Sequence, residues 1–395
     1  MIRLLKIIII LLSFFYIAVN AQVKSEGNYN IIANIEKLDR KRILDAADKY
    51  LNDKPVTITN FKAERSTGGI HDYYSDSDYW WPNPKDPDGP YIRRDGMSNP
   101  DNFEKHRLAL RDMSIQVAAL TAAYKITHDK KYADKALQHL LAWFVNEKTI
   151  MNPNLEHAQA VRGVTSGRSV GIIDTIHLVE VAQAIIVLEK LGDLDKKEAE
   201  AIKDWFRKYL NWLTTSKFGK DERDRGNNHS TCYIMQAAEF AKLVGDTTKM
   251  NFCRNFYESV LLPKQMDTDG SFPKELARTK PYSYSIFNLD MMSMVCEILS
   301  GKGHDLWYYT TSDGRNIGLG MKLLYPYLAD KSKWHYPKDV MYFNVWPVRQ
   351  VSLLFCGIHL NENKYIKLWK KLNPDPKAEE GIRNFPIRQP VLWVN

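Results

Sequence analysis

Two polar clusters about forty residues apart carry side chains that can handle protons and negative charge. The first is Asn227-Asn228-His229, directly ahead of a run from Ser230 to Val244 in which Ile234, Ala237, Ala238 and Ala241 recur at helical spacing. The second is DTDGSFPKELARTKPYSYS over 267–285, where Asp269-Gly270 reads as a turn, Arg278 leaves the loop, and Pro281 is placed to open a helix with Tyr284 in its first turn. A helix start carries unpaired N–H groups and partial positive charge, so two of them converging with Arg278 would suit a carboxylate. The same field is expected to favour the phenolate of Tyr284. An unperturbed tyrosine, with a pKa near ~10, is a poor base at neutral pH without such help. Each residue also has a plainer use: Asn228 as a helix cap, His229 as a bonded structural ring, Arg278 in a local pair with Glu275, and Tyr284 as a half-buried aromatic.

The elements that must position these groups are helical. Apolar periodicity predicts helices over Ile35–Leu51, Phe103–Thr127, Lys131–Asn146, Ser169–Leu191, Lys196–Thr214, His229–Val244, Lys249–Leu262, Tyr284–Ser300, Arg315–Ala329, Pro347–His359 and Asn363–Leu372. Strand signals are scarce, and the short turns suggest an all-α architecture of antiparallel helices, closed as a toroid or open as a solenoid. Between Asn52 and Asn102 the period breaks into Pro, Gly, Asp and aromatics, and an irregular stretch of that length is usually functional. No linker divides residues 22–395, which are expected to form one domain.

Several segments carry a family resemblance. NNHS at 227–230, DGSFPKELAR at 269–278 and Tyr284 resemble the catalytic segments of alginate lyases of polysaccharide lyase family five, and of helical relatives such as family thirty-eight. SDSDYWWPNPKDPDGPYIRRDG at 75–96, MNPNLEHAQAVRG at 151–163 and GRSVGIIDT from Gly167 are similar to the same domain, so the likeness runs from about His71 to about Leu299. It implies an incomplete (α/α) toroid whose loops shape a substrate cleft. It also implies a lyase that cleaves uronate polymers by β-elimination, alginate first and mannuronate-rich alginate above all, then polyglucuronate. In that chemistry Asn228, His229 and Arg278 neutralise the sugar carboxylate, donors of this kind contributing about 2.7–4 kcal/mol each. Tyr284 then removes the C5 proton and returns a proton to the departing C4 oxygen. One residue can do both in mannuronate and glucuronate, where the C5 hydrogen and C4 oxygen share a face. In guluronate they do not, and His229 is the candidate for the second group. Where family five places His before the acid/base Tyr this chain has Ser283, and the spacing from Arg278 is one residue shorter, so Tyr282 is a rival to Tyr284 and a candidate contact.

Around this quartet, Trp80, Trp81 and Tyr91, with Tyr79, Arg93 and Arg94 among them, can stack on sugar rings while guanidinium groups pair with carboxylates, or can anchor their own loop. The resemblance places His157, Gln159, Arg162 and Arg168 beside the cleft, and Arg349 with Trp346 are later candidates. Asp76, Asp78, Asp86 and Asp88 lack calcium-loop spacing, and no metal or other cofactor is expected. Carboxylate pairs drawn from Asp267, Asp269, Glu275, Asp76 and Asp78 leave open a glycoside hydrolase. A binding module for acidic glycans without turnover is a third reading.

Residues 1–21 read as a secretory leader: Arg3 and Lys6 precede an apolar run that ends in Val19-Asn20-Ala21, a small-residue cleavage pattern. The run is short for a bilayer span and no Cys follows the cleavage site, so release into a periplasm or medium is expected rather than a stable membrane anchor. Without the leader the chain keeps 53 basic against 47 acidic side chains, or +6, a balance that suits a polyanion. Export argues against nucleic acid, leaving an anionic polysaccharide as the expected partner of a monomeric protein. Cys232, Cys253, Cys296 and Cys356 sit in apolar helical contexts and read as buried thiols, with a Cys232–Cys253 disulfide as the alternative.

Overall fold

Several helix starts in this chain are fixed by the short polar residues that precede them. Asp129, Asp195, Ser216, Asn227, Asp246 and Asn316 each accept a backbone N–H of the turn they open, and Gly192 and Gly245 close their helices in the left-handed region. The computed structural model describes residues 34–394, so the leader assigned to 1–21 lies outside the described residues. Its helices are α1 (34–50), α2 (Lys105–Thr127), α3 (Lys130–Phe144), α4 (Leu178–Leu191), α5 (Lys196–Thr215), α6 (Lys217–Arg223), α7 (Asn228–Val244) and α8 (Thr247–Phe256). They continue as α9 (Leu262–Gln265), α10 (Pro273–Leu276), α11 (Pro281–Leu299), α12 (Ile317–Ala329), α13 (Val351–His359), α14 (Asn363–Lys371) and α15 (Glu379–Arg383).

Successive helices pack side by side, α2 on α3 and α4, α5 on α7, α7 on α11, α11 on α13, and α13 on α14, in the (α/α) toroid. The middle of this array is α7 and α11, whose residues are buried on almost every side. Four short strands complete the described elements: β1 (Tyr74–Asp76), β2 (Trp80–Trp81), β3 (Ile92–Arg93) and β4 (His157–Ala160). β1 pairs in parallel with β4, and β2 with β3 as an antiparallel hairpin that sets Trp80 opposite Arg93.

The expected helix over 169–191 is broken. Residues Ser169–Thr175 form a 3₁₀ turn that meets α4 at 43°, because Gly171 packs so tightly on Ala158 that a Cβ would lie 2.4 Å from the Ala158 Cβ. Asp174 pins the turn by accepting from Ser75, Tyr73 and Gln159. The helix expected over 249–262 ends in a π turn, Tyr257–Leu261, just where Pro263 has no N–H to give. α6, α10 and α15 are too short for periodicity to reveal.

The irregular stretch 52–102 is held by carboxylates turned inward. Asp76 accepts from Arg65 at 2.5 Å, from the Tyr74 hydroxyl at 2.7 Å and from Phe103 N at 2.8 Å. Asp78 sits between Arg107 at 2.6 Å and Arg383 at 2.8 Å. The four cysteines are buried free thiols, so Cys232 and Cys253 are not bridged. No described helix is long and apolar enough to cross a membrane alone.

Candidate active site

α10 folds over the start of α7 and gives Asn228 its orientation. Both the backbone N–H and the Nδ2 of Asn228 donate to the buried carboxylate of Glu275, each at 2.7 Å. The turn before α10 needs Gly270, at φ +91°, where a Cβ would stand 2.6 Å from the Leu319 carbonyl oxygen. At the second residue of α7, His229 Nδ1 lies 2.5 Å from Oε1 of Glu222, a fully buried side chain of α6. With a carboxylate accepting at Nδ1, the neutral ring carries its free lone pair on Nε2.

Across the cavity, Arg278 is gripped by Asp95, Nε to Oδ2 at 3.3 Å and Nη2 to Oδ1 at 3.0 Å. Its guanidinium sits 4.7 Å from the ring centre of Tyr284. The Tyr284 hydroxyl is 2.7 Å from that of Tyr79, which the loop brings in just ahead of β2. Asn228, His229, Arg278 and Tyr284 all line one cavity of about 220 Å³, together with Tyr79, Trp80, Gln159 and Arg168.

The electrostatics differ from the expectation in two respects. The helix starts are not vacant: Glu275 occupies that of α7, and Asp339 accepts from Tyr282 N at 2.8 Å and Ser283 N at 3.0 Å at the start of α11. The positive field of the cavity therefore comes from guanidinium groups. Nor does that field favour the phenolate of Tyr284. Burial, reinforced by Tyr79, pushes the phenol well above its ordinary value, and Arg278 only partly offsets it. At Arg168, burial first, and then the like charges of Arg225 and Arg93, pulls the guanidinium down to about 10. Among the described residues Arg168 has no carboxylate partner within ion-pair distance; it donates to Ser77 and Gln159 and lies 5.7 Å from the Trp80 ring centre.

The sequence profile of the alginate lyase family matches residues 57–334. The chain belongs to the alginate lyase family. It is a polysaccharide lyase. An alginate lyase structure from Bacteroides ovatus aligns with 31% identity over 93% of this chain and 97% of that one, at a TM-score of 0.78. Alginate lyase A1-III from Sphingomonas species A1 shares the fold at 17% identity, covering 89% of this chain and 94% of its own, with a TM-score of 0.56. A histidine-to-alanine variant of A1-III in complex with a tetrasaccharide aligns at 18% identity over 87% and 89%, with a TM-score of 0.58. No curated protein sequence matches it significantly.

Other candidates of the lyase fall outside the cavity lining. Trp81 donates to the Met97 carbonyl and lies under the exposed Arg94, at 5.1 Å. Tyr91 sits under Arg162, at 5.8 Å, and His157 bonds Thr67. Tyr282 is fully buried, packs on Trp334 and Phe343, and donates its hydroxyl to the Tyr327 carbonyl at 3.0 Å, so it cannot meet a sugar in the cavity that Tyr284 lines. Arg349 is likewise internal, paired with Asp39 at 2.6 Å and stacked on Trp369, and Trp346 is buried. The carboxylates that line the cavity, Asp78 and Asp174, both pair with Arg107. Although burial works to raise it, Arg107 and Arg383 hold Asp78 below the usual carboxylate range, which is the wrong direction for the acid of a hydrolase. Sequence reasoning missed Asp95, Glu222 and Lys280, and did not assign Glu275 to Asn228. Their partners lie up to 201 residues away, and only Glu222, seven residues before His229, left a local trace.

Proposed function

We propose that this lyase cleaves alginate, with mannuronate-rich chains preferred and polyglucuronate as the next substrate, by β-elimination outside the cytoplasm. The observation that carries the reading is that amide, imidazole, guanidinium and phenol of the expected quartet line one cavity sized for a sugar ring and its neighbours. The Bacteroides ovatus relative is an alginate lyase by description, and the A1-III variant was captured with a tetrasaccharide.

Asn228 and Arg278 take the uronate carboxylate and thereby make C5–H acidic, with His229 Nε2 beside them. In mannuronate, ionised Tyr284 takes the C5 proton, the C5 electron pair forms the C4–C5 double bond, and the phenol so formed protonates the C4 oxygen as the glycosidic bond breaks. In guluronate, His229 Nε2 takes the C5 proton from one face and the Tyr284 phenol protonates the C4 oxygen from the other. The cationic set Arg93, Arg168 and Arg225 suits the carboxylates of neighbouring residues. The apolar leader with its small-residue end supports export.

Incubation with polymannuronate, polyguluronate and polyglucuronate, read by ultraviolet absorbance and chain length, tests this. The expected result is a growing absorbance from the C4–C5 double bond conjugated to the carboxylate, fastest on polymannuronate. Shortening without that chromophore, or none on any of the three polymers, overturns it.

A further inference from the structure

Beneath the loop that brings Tyr79 to Tyr284 lies a fully buried lysine, Lys280, at the residue before α11. Its ammonium pairs with Glu380 of α15 at 2.9 Å, sits 3.5 Å from the Tyr79 hydroxyl, and faces the rings of Tyr79 and Tyr342 at 5.1 and 4.9 Å. Burying an ammonium is costly, and a surface lysine would serve any purely solubilising role. Glu380 is in turn shared with Arg383, which reaches Asp78. Lys280 thus ends a buried chain of alternating charges and points its last donor at the hydroxyl pair of the active site.

We propose that Lys280 is a positioning residue that sets the direction of the hydrogen bond between Tyr79 and Tyr284. The inference rests on the reading of Tyr284 as the acid and base. A lysine ammonium donates and cannot accept, so the Tyr79 oxygen is the acceptor on that side. The Tyr79 proton is then directed at the Tyr284 oxygen 2.7 Å away. Tyr284 becomes the acceptor of the pair: its own hydrogen is left for the cavity, and when it ionises Tyr79 already donates to the phenolate. In the opposite direction Tyr284 would spend its proton on Tyr79, with no donor for the phenolate and no proton aimed at the sugar. Arg278 alone does not offset the burial of Tyr284, so a donor already aimed at the phenolate matters.

Other groups face these two residues. Around Tyr284 are Arg278, Tyr79, Glu380 and Arg383, with His229 across the cavity. Around Lys280 are Glu380, Tyr79, Tyr342, Asp78 and Asp339. Removing the lysine charge leaves Tyr284 facing the Glu380 carboxylate with less compensation, so ionisation of the base becomes harder.

The test is the pH dependence of kcat on polymannuronate for wild type, Lys280→Met, Lys280→Arg and the double variant Lys280→Met with Glu380→Gln, which removes the buried pair together. In Lys280→Met the acid limb should move up by about one pH unit or more, a loss of about tenfold at a fixed pH on that limb. KM should change by less than about threefold, since Lys280 is fully buried and does not line the cavity. Lys280→Arg should recover most of the profile. The double variant, in which no buried carboxylate is left unpaired, should keep the part of the upward shift that comes from losing the donor to Tyr79 and lose the part that comes from Glu380. Superposable profiles, or a uniform drop at all pH values that Lys280→Arg shares, overturn the proposal. A wild type that yields no unsaturated product overturns the lyase mechanism at Tyr284 instead, so the two failures are distinct.

Discussion

Asp95 clasps Arg278 through both carboxylate oxygens and accepts the Thr279 hydroxyl at 3.0 Å. One residue of the aromatic loop thereby fixes the guanidinium that faces Tyr284. Burial works to raise the Asp95 carboxyl, but Arg278, Thr279 and Arg93 hold it below its ordinary range, so the clasp is charged at neutral pH. Asp95→Ala frees both the loop and the guanidinium. A displacement of about 1 Å in such a group costs about 100-fold, and kcat/KM on polymannuronate should fall by about 10- to 100-fold. Unchanged steady-state kinetics would show that the clasp is dispensable.

Tyr284→Phe removes the only hydroxyl of its helix turn that lines the cavity. Turnover should drop by about 10² to 10⁴, the range for a lost general acid or base. Binding of the polymer, measured by calorimetry, should stay within a few-fold of wild type. Tyr282→Phe, which loses only the bond to the Tyr327 carbonyl, should keep its kcat, and a reversal of these two outcomes would move the acid/base role to Tyr282.

Glu222 acts on His229 alone among the quartet. Glu222→Gln keeps an acceptor at Nδ1 but removes the carboxylate that faces the ring when Nε2 takes a proton. Activity on polyguluronate should fall by about 10- to 100-fold, while polymannuronate, which needs no second base, should lose less than about threefold. An equal loss on both polymers would assign His229 to carboxylate binding only.

Asp290 offers a stability test remote from the chemistry. Burial pushes its carboxyl up to about 7, with Ser352 only partly opposing. A carboxyl raised on folding stabilises fully below its unfolded pKa near ~4, and that contribution is lost as pH rises through about 7. Asp290→Asn keeps an acceptor for Ser352 N, and the Gln350 amide beside the second oxygen can present either end to it. The variant should melt at least about 3 °C above wild type at pH 8 and converge with it near pH 4. A wild type that melts higher at pH 8 would contradict the protonated assignment.

Much of the site was legible because its residues lie in two short motifs at predicted helix starts. Asn228 and His229 are adjacent and open α7 directly after the loop that ends at Gly226, and Arg278 and Tyr284 flank Pro281, so local spacing alone puts each pair at a helix end. What was misread depends on facing. Tyr282 and Tyr284 are two residues apart on α11, which turns one of them into the core against Trp334 and the other into the cavity. Arg349 is a candidate for sugar contact in the sequence, yet Asp39, 310 residues away, draws it inside. Trp81 and Arg94 share the loop with Trp80 but stack on each other outside the cavity lining.

From the chain alone came the helical architecture, the long aromatic loop and the four side chains that meet in one cavity, because periodicity, capping residues and turn residues act over a few positions. The tertiary structure decided which charges those side chains feel. Glu275 and Asp339 fill the helix starts, Asp95 holds Arg278, and burial keeps Tyr284 a phenol in the free protein. Ionisation depends on distances of a few ångströms and on exclusion of water, and those are set by contacts between residues that the sequence places far apart.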